Sequence, residues 1–495
     1  MIARAALDRD SAPLLVLAGV AALAVGLLAA ATSPLVPAAG LVALLGLLAI
    51  CWKPGVGLAV FVAIVAVVPF GVIPLPLAGA QLTFVDAALI ATSGAVLMRV
   101  VFGASRLTFD APAVALLAFV GLALVAFLVG SAVTPITPEL ARRVGKLLAS
   151  LCFFLIVRTM LTSTRQVDRL TRWLMLGGAL QGAVGAGLML LSPLTQLGLL
   201  TRLQVIGYPT TDVLRYVPGP NDTYTDHLRA IGTSVDPNVF GGTLMLALAL
   251  IAVQWASPEP VLRRSVLLLL ALPTGAGVLL SLSRASWLGL AAGLLLVGAL
   301  RFRRILVFGS IVGLVLLVSP VGRDVVARFI SGFSTADRAT AFRVGEYANA
   351  LTLLQRYPLL GIGFGVSPDI DVTAGVSSVY LLVAEQTGLL GLGAYIAALA
   401  SVWLIGVRNL TATRDRKLQG VRAAFLAAIT GALVAGLLDH YFANQAFPHA
   451  VALFWVYAAG LVAAGRLARL TDWKGEPERA PAVRAAALSA HRSPV

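Results

Sequence analysis

The 495-residue chain is poor in charge. Only 12% of its residues are Asp, Glu, Lys or Arg, against roughly 25% in soluble domains, which excludes an ordinary water-soluble globule. Cysteine is nearly absent. Cys51 and Cys152 both sit in apolar runs, so neither a disulfide framework nor a thiolate metal site is indicated. The four histidines show no metal-ligand spacing, and the chain carries no G-x-x-x-x-G-K-[ST] loop and no dinucleotide fingerprint. A chain without an ATP site of its own has to draw on an activated substrate. Acids are scarce too: 22 stand against 37 basic residues, a formal net charge of +15. Such a balance can mark a nucleic-acid binder. Here the arginines cluster between apolar runs, where topology accounts for them, and nucleic acid is excluded as a partner.

What the chain has in quantity is apolar length. Hydrophobic residues make up 59% of it, and the mean hydropathy is +0.94. Apolar runs recur at close to the ~20 residues that a bilayer span requires. Lipid admits only helices or closed barrels. Runs of Leu, Ala, Val and Gly, not the alternating segments of a barrel, predict an all-α polytopic integral membrane protein. Fourteen spans are predicted, near 13–31, 35–51, 56–70, 84–98, 112–130, 145–157, 173–192, 239–256, 265–282, 286–300, 305–320, 379–407, 423–438 and 446–465. The weakest are 35–51, 56–70 and 145–157, which sets the range at 12 to 14. The first run reads as a retained span, not a cleaved signal. Residues 1–470 read as one transmembrane domain, and 471–495, rich in Ala, Arg and Pro, as a disordered tail.

Orientation follows from the basic residues. With the N-terminus cytoplasmic, 25 of the 37 fall inside and 12 outside. Both termini are then cytoplasmic, and two long loops, about 193–238 and 321–378, face out. The outside arginines are the minority that topology leaves unexplained. Arg229 lies in RAIGTSVDPNVFGG, where Asp236-Pro237-Asn238 forms a helix cap and Gly241-Gly242 permit close packing. Arg284 stands alone between two spans in SLSRASW, where a charge must be paired or face water. An arginine fork suits diphosphate oxygens; snorkelling to the interface is the plainer reading. The polar segment 196–228 carries Tyr208, Tyr216, Tyr224, Asn221, Asp222, Asp226 and His227, a mixture shared by sugar-binding surfaces and by any exposed loop. Asp439, His440 and His449 lie in or beside the short outside connector DHYFANQAFPH.

The longest stretch without a span runs from Asp337 to Gly391. Its first part has helical spacing, with Phe342, Tyr347, Leu351, Leu354 and Tyr357 on one broad face and Arg338, Arg343, Glu346 and Gln355 largely elsewhere. Pro358 ends that helix. The glycines 361, 363 and 365 then let backbone approach a ligand or a neighbouring helix. Asp369, Asp371, Ser377 and Ser378 follow, and a new apolar run starts at Tyr380.

The order Arg229 with Asp-Pro-Asn, Ser283-Arg284, Arg343 with Pro358-Leu-Leu-Gly361-x-Gly363, and Tyr380 to Gly391 resembles the O-antigen ligase and polymerase family. The matching blocks span residues 229–391. The resemblance implies a fold similar to the membrane-embedded C-type glycosyltransferases. It implies a donor glycan carried on undecaprenyl diphosphate, transfer at the outer face of the bacterial cytoplasmic membrane, no metal and no cofactor. Expected partners are the lipid-linked oligosaccharide, membrane lipid and other polysaccharide-assembly proteins. Arg229 and Arg284 fall where the family's diphosphate-binding arginines fall, and Arg343 is a third candidate. Ligases of the family carry a histidine just before the Tyr-Leu, where this chain has Ser377 and Ser378. The candidates for a general base in its place are Glu385, which falls just inside a span, Asp369, Asp371, Asp439 and His440. Two other classes compete: a lipid-linked glycan transporter or flippase, and a non-catalytic envelope-assembly protein.

Overall fold

The computed structural model describes residues 35–73, 81–218, 224–319, 326, 329–330, 338–365 and 376–474. Apolar runs become helices almost throughout. In chain order these are α1 (Leu35–Trp52), α2 (Pro54–Val67), α3 (Phe84–Val101), α4 (Ala111–Val129), α5 (Pro138–Met160), α6 (Thr164–Met189) and the short α7 (Pro193–Thr201). There follow α8 (Pro237–Ala256), α9 (Arg264–Leu280), α10 (Arg284–Leu300), α11 (Arg303–Val318), α12 (Arg338–Arg356), α13 (Val379–Val407), α14 (Arg416–Ala435) and α15 (Pro448–Lys474). Every predicted span from 35–51 onward coincides with one of them. The predicted span 13–31 and the tail from 475 lie outside the described residues. Among the described residues six helices, α3, α4, α8, α13, α14 and α15, are long and apolar enough to cross a membrane, and α2, α9 and α10 are shorter apolar helices. The protein is an all-α polytopic membrane protein.

The starts of the helices are written locally. Asp236, Thr83, Asp110, Thr137, Ser192, Ser283 and Asp415 each accept a backbone N–H from the first turn that follows, which satisfies donors that a helix leaves free. Proline at the first or second position of α2, α4, α5, α7 and α8 sits where its missing N–H costs nothing.

α8, α14 and α15 are apolar all round and form the centre, with α10 and α8 against α14 and α5 against α15. The α10–α14 contact is a small-residue seam. A side chain at Gly289 would collide with the Gly431 carbonyl, and one at Gly293 with the Ala427 carbonyl. Such seams let helix backbones touch in lipid, where van der Waals packing replaces the hydrophobic drive. α11 lies at the periphery and exposes Val307, Ile311, Leu314 and Val318.

Two regions depart from the sequence reading. The segment 193–238 is more structured than a polar loop. It holds α7, a 3-10 turn (Arg202–Ile206) and an antiparallel hairpin of β1 (Arg215–Pro218) and β2 (Tyr224–Arg229), with Arg215 opposite Arg229. Within it Tyr208 is buried, its ring edge-on to Phe70, so it is a packing residue. The second departure is α12. Phe342 and Leu351 of the expected apolar face are exposed, while Ala350 and Leu353 are buried and Glu346 and Tyr347 make the hydrogen bonds that dock the helix.

α13 is broken. Gly388 has φ 67° and ψ −171°, a conformation open to glycine and barred to residues with a side chain. The break detaches the carbonyls of Glu385 and Gln386 and the amides of Leu389 and Leu390 from the helical ladder. The turn after α12 supplies all four partners: Ile362 N and Gly363 N donate to Glu385 O (2.9 Å) and Gln386 O (3.1 Å), and Leu389 N and Leu390 N donate to Pro358 O (2.8 Å) and Leu359 O (3.3 Å). A backbone group left unpaired in lipid costs several kcal/mol. The Pro358-Leu-Leu-Gly-x-Gly and Gly388-Leu-Leu-Gly blocks are therefore the two halves of one joint, and the glycine turn approaches a helix.

Candidate active site

Three helix N-termini meet at one end of the bundle. The hairpin brings Arg229 to the turn between α9 and α10: Ala230 N donates to Leu280 O, and Arg229 Nε donates to Ser281 O at 2.9 Å. Arg229 Nη2 reaches Asn238 Oδ1 at 2.6 Å, in the first turn of α8. Arg284 opens α10 and is 8% exposed, so its charge lies largely out of water. Ser281, Ser283 and Ser286 are linked through that turn: Ser283 N donates to Ser281 Oγ at 3.2 Å, and Ser286 Oγ donates to Ser283 Oγ at 3.0 Å. Gly241 admits Ser281 and Ser286 against α8, and Gly242 admits the Tyr441 ring. Val235 (φ 62°) and Leu282 (φ 51°) hold left-handed backbone in the two turns. A β-branched or bulky residue there is strained, and strain of this kind gathers at functional sites.

The connector 436–447 closes the cluster. Val379 N, at the start of α13, donates to Gly436 O (2.8 Å) and Asp439 O (3.1 Å). The single hydroxyl proton of Tyr347 on α12 is shared between Ser377 O (3.1 Å) and Leu437 O (3.0 Å), while Glu346 Oε2 accepts Ser377 N (2.9 Å). These bonds set Arg343, one turn before Tyr347, over the connector. Arg343 is close enough to the Asp439 carboxyl to favour its charged form.

Asp439 is 5% exposed. Its Oδ1 accepts His440 N at 2.9 Å, and its Oδ2 is buried with no hydrogen-bond partner among the described residues. Burial pushes this carboxyl above the usual carboxylate range. His440 and Arg343 pull it down, and Asp236 adds to the rise. The His440 ring is half-buried and stacks on Phe447. Its Nδ1 stands 3.9 Å from Asp439 Oδ1 and 3.3 Å from Asn444 Nδ2. Burial and the Asp439 charge push the Tyr441 phenol up in turn.

The structure thus brings Arg229, Arg284, Arg343, Asp439 and His440 to one end of the bundle. Glu385 sits apart from Val379 by six residues of α13, about 9 Å of helical rise, at the break. One of its carboxylate oxygens is buried without a hydrogen-bond partner among the described residues. Asp369, Asp371, Asn221 and Asp222 lie outside the described residues. His449 is buried against Phe70 and Phe447, a packing position. Ser378, at the site of the family's histidine, donates its hydroxyl to Gly436 O at 3.3 Å. Three members of the cluster were not foreseen as such: Asn238 as the partner of Arg229, Asp236 as a second carboxylate, and Tyr441. Each flanks a residue that was, but nothing local ties Asp236 to Asp439.

The arrangement gathers positive charge. Each helix start carries about half a positive charge and favours phosphate groups, and three guanidinium groups add to it. Residues 266–396 match the family model described as O-antigen ligase. The expected resemblance to the O-antigen ligase and polymerase family holds over that quarter of the chain. The matched stretch contains Arg284, Arg343 and the α13 joint; Arg229 and the connector lie outside it. No curated protein matches the chain. The family match supports an activity of the O-antigen ligase or polymerase type in a membrane protein.

Proposed function

We propose that this protein is a membrane glycosyltransferase that polymerises or ligates oligosaccharide carried on undecaprenyl diphosphate. It would work at the outer face of the bacterial cytoplasmic membrane, with both termini in the cytoplasm, for surface polysaccharide synthesis. The observation that carries this reading is the convergence of Arg229, Arg284 and Arg343 on three helix N-termini beside a buried carboxylate. Breaking the glycosyl–phosphate bond builds negative charge on the departing diphosphate. Donors already aimed at that charge, in a site poor in water, stabilise it at little reorganisation cost. The guanidinium groups take the part that a metal takes elsewhere, so a metal-independent transfer follows.

The attack on the anomeric carbon needs a base for the acceptor hydroxyl. His440 fills that role best: it is partly exposed, beside Asp439, and on the connector that receives the Val379 amide next to Ser378. The Asp439 carboxylate places a negative charge 3.9 Å from the ring Nδ1. The serine hydroxyl at the family's histidine position is engaged with backbone, which argues for a base contributed from another segment.

The test uses purified protein in liposomes with a radiolabelled undecaprenyl-diphosphate oligosaccharide, run on a gel. A ladder marks a polymerase, and a single transfer to an added acceptor marks a ligase. Arg229→Ala, Arg284→Ala and His440→Ala should each remove product while the protein still inserts. Wild-type product from both arginine variants would overturn the reading. A transport reading draws on one observation, the break in α13, since discontinuous helices line many carrier sites. The four backbone groups freed by that break are all paired by the 358–363 turn, so they are not open to a substrate. Flux across the liposome with no covalent change in the glycan would favour it.

A further inference from the structure

A second arginine cluster lines a cavity of about 760 Å³ at the opposite end of the bundle. Its walls include Arg264, Arg301, Phe302, Arg303, Arg304 and Thr411. α8 and α10 join the two regions. Each starts at the candidate active site and ends at this cavity, and their 20 and 17 residues measure about 30 and 25 Å. The cavity is thus close to one hydrocarbon thickness, ~30 Å, from the first site, which puts it at the headgroup level of the other leaflet.

Its chemistry is one-sided. Glu259 is the one carboxylate in the lining segments 256–264 and 299–304, against Arg263, Arg264, Arg301, Arg303 and Arg304. Arg264 is held by the carbonyls of Trp255 and Ser257, and Arg301 by Gln419. Arg303 and Arg304 are exposed and have no hydrogen-bond or ion-pair partner among the described residues. Their forks are free to take phosphate oxygens in pairs. Below the cavity the flanking helices are apolar and exposed: Leu268, Leu269 and Leu272 on α9, Val307, Phe308 and Ile311 on α11.

We propose that this cavity binds the phosphate headgroup of an anionic phospholipid, whose acyl chains lie along α9 and α11. Free inorganic phosphate shares the headgroup chemistry. The apolar walls favour the lipid, because a soluble anion would gain nothing from them. Basic pockets at helix ends bind anionic headgroups by this combination.

The experiment is native mass spectrometry of the delipidated full-length protein, titrated with phosphatidylglycerol or phosphatidylcholine. The wild type should retain phosphatidylglycerol in preference. Each arginine near a membrane surface is worth on the order of a fivefold change in affinity. Arg304→Gln should therefore weaken binding about fivefold, and the Arg303→Gln, Arg304→Gln pair about thirtyfold. Both positions are exposed, so the variants should stay monodisperse on size exclusion. Arg165→Gln serves as the control. It is exposed at the start of α6, whose Arg172 bonds the Val261 carbonyl beside the same turn, and it should change nothing. Equal phosphatidylglycerol binding by the pair variant and the wild type would overturn the proposal. So would equal binding of the two lipids by the wild type. In a parallel arm inorganic phosphate is added and thermal unfolding is followed. Protection equal to that by phosphatidylglycerol, lost in the pair variant, would keep the anion site but refute the lipid. None of these readouts depends on glycan transfer.

Discussion

The two ends of the bundle use the same residue to different effect. At one end Arg284 is buried and Arg229 is bonded to a carbonyl and an amide, among three helix starts and two strained turns. At the other, Arg303 and Arg304 are exposed and open into a wide cavity. A charge out of water acts in a low dielectric and without screening by salt, whereas an exposed one is worth little alone. The first environment can stabilise charge that develops during a reaction. The second can hold a charge that is already there. The comparison teaches that arginine content does not locate a reaction centre; what holds the guanidinium does.

The largest effect should come from Arg229→Ala combined with Arg284→Ala. Removal of one preorganised donor from a site of this kind costs about 10²- to 10³-fold in rate, so the pair should leave no measurable product in the liposome assay. Arg165→Gln, an exposed arginine at the other end, should leave the rate unchanged. A comparable loss from Arg165→Gln would erase the distinction between the ends. Arg284→Lys sharpens it further: charge is kept and the fork is lost, and an intermediate rate is expected.

Asp439→Asn should come next, with a loss on the order of 10². The wild-type rate should fall on the acid side at a pH above the usual carboxylate range. Burial makes the carboxyl take up its proton early, and the protonated form no longer places a negative charge beside the His440 ring. In a pH–rate profile the acid limb of the variant should be displaced from the wild type's. A profile identical to the wild type's would remove Asp439 from the mechanism.

Gly388→Ala attacks the frame of the active end and leaves its charges in place. A side chain there would collide with the Leu359 backbone, at a left-handed φ. A strained residue of this sort costs about 1–3 kcal/mol, more with the collision, and a lower thermal midpoint in detergent should report it. An unchanged midpoint would mean that the joint between the 358–363 turn and α13 is not structural. The smallest effect is a salt response. Between low and physiological ionic strength, phosphatidylglycerol retention at the exposed cavity should weaken by a few fold, while turnover at the buried end should hardly move. The reverse order would contradict the contrast in burial.

Much of the fold was open to reading. Apolar length gave the helices from 35–51 onward, and Asp236-Pro237-Asn238 with Gly241-Gly242 gave the start of α8 and its close packing. The arginines 229 and 284 stood out because topology left them over. The hairpin was hidden, since residues 215–229 alternate too little to announce strands. The docked face of α12 was missed for a related reason: Glu346 and Tyr347 bind backbone groups of distant segments, a role that hydrophobic periodicity does not record. Asp439 and Arg343 are brought together by the Tyr347 bonds to Ser377 and Leu437, and no spacing in the chain could have joined them.

By itself the sequence determined the solvent, the helices and the residue types available for chemistry. Lipid allows unpaired backbone almost nowhere, so apolar length and local caps suffice to specify a helix. Tertiary structure alone decided which arginines are desolvated, which carboxylate is buried beside them, and that two glycine blocks close one broken helix. Those properties depend on what lies opposite a side chain, and the partners come from segments far apart in the chain.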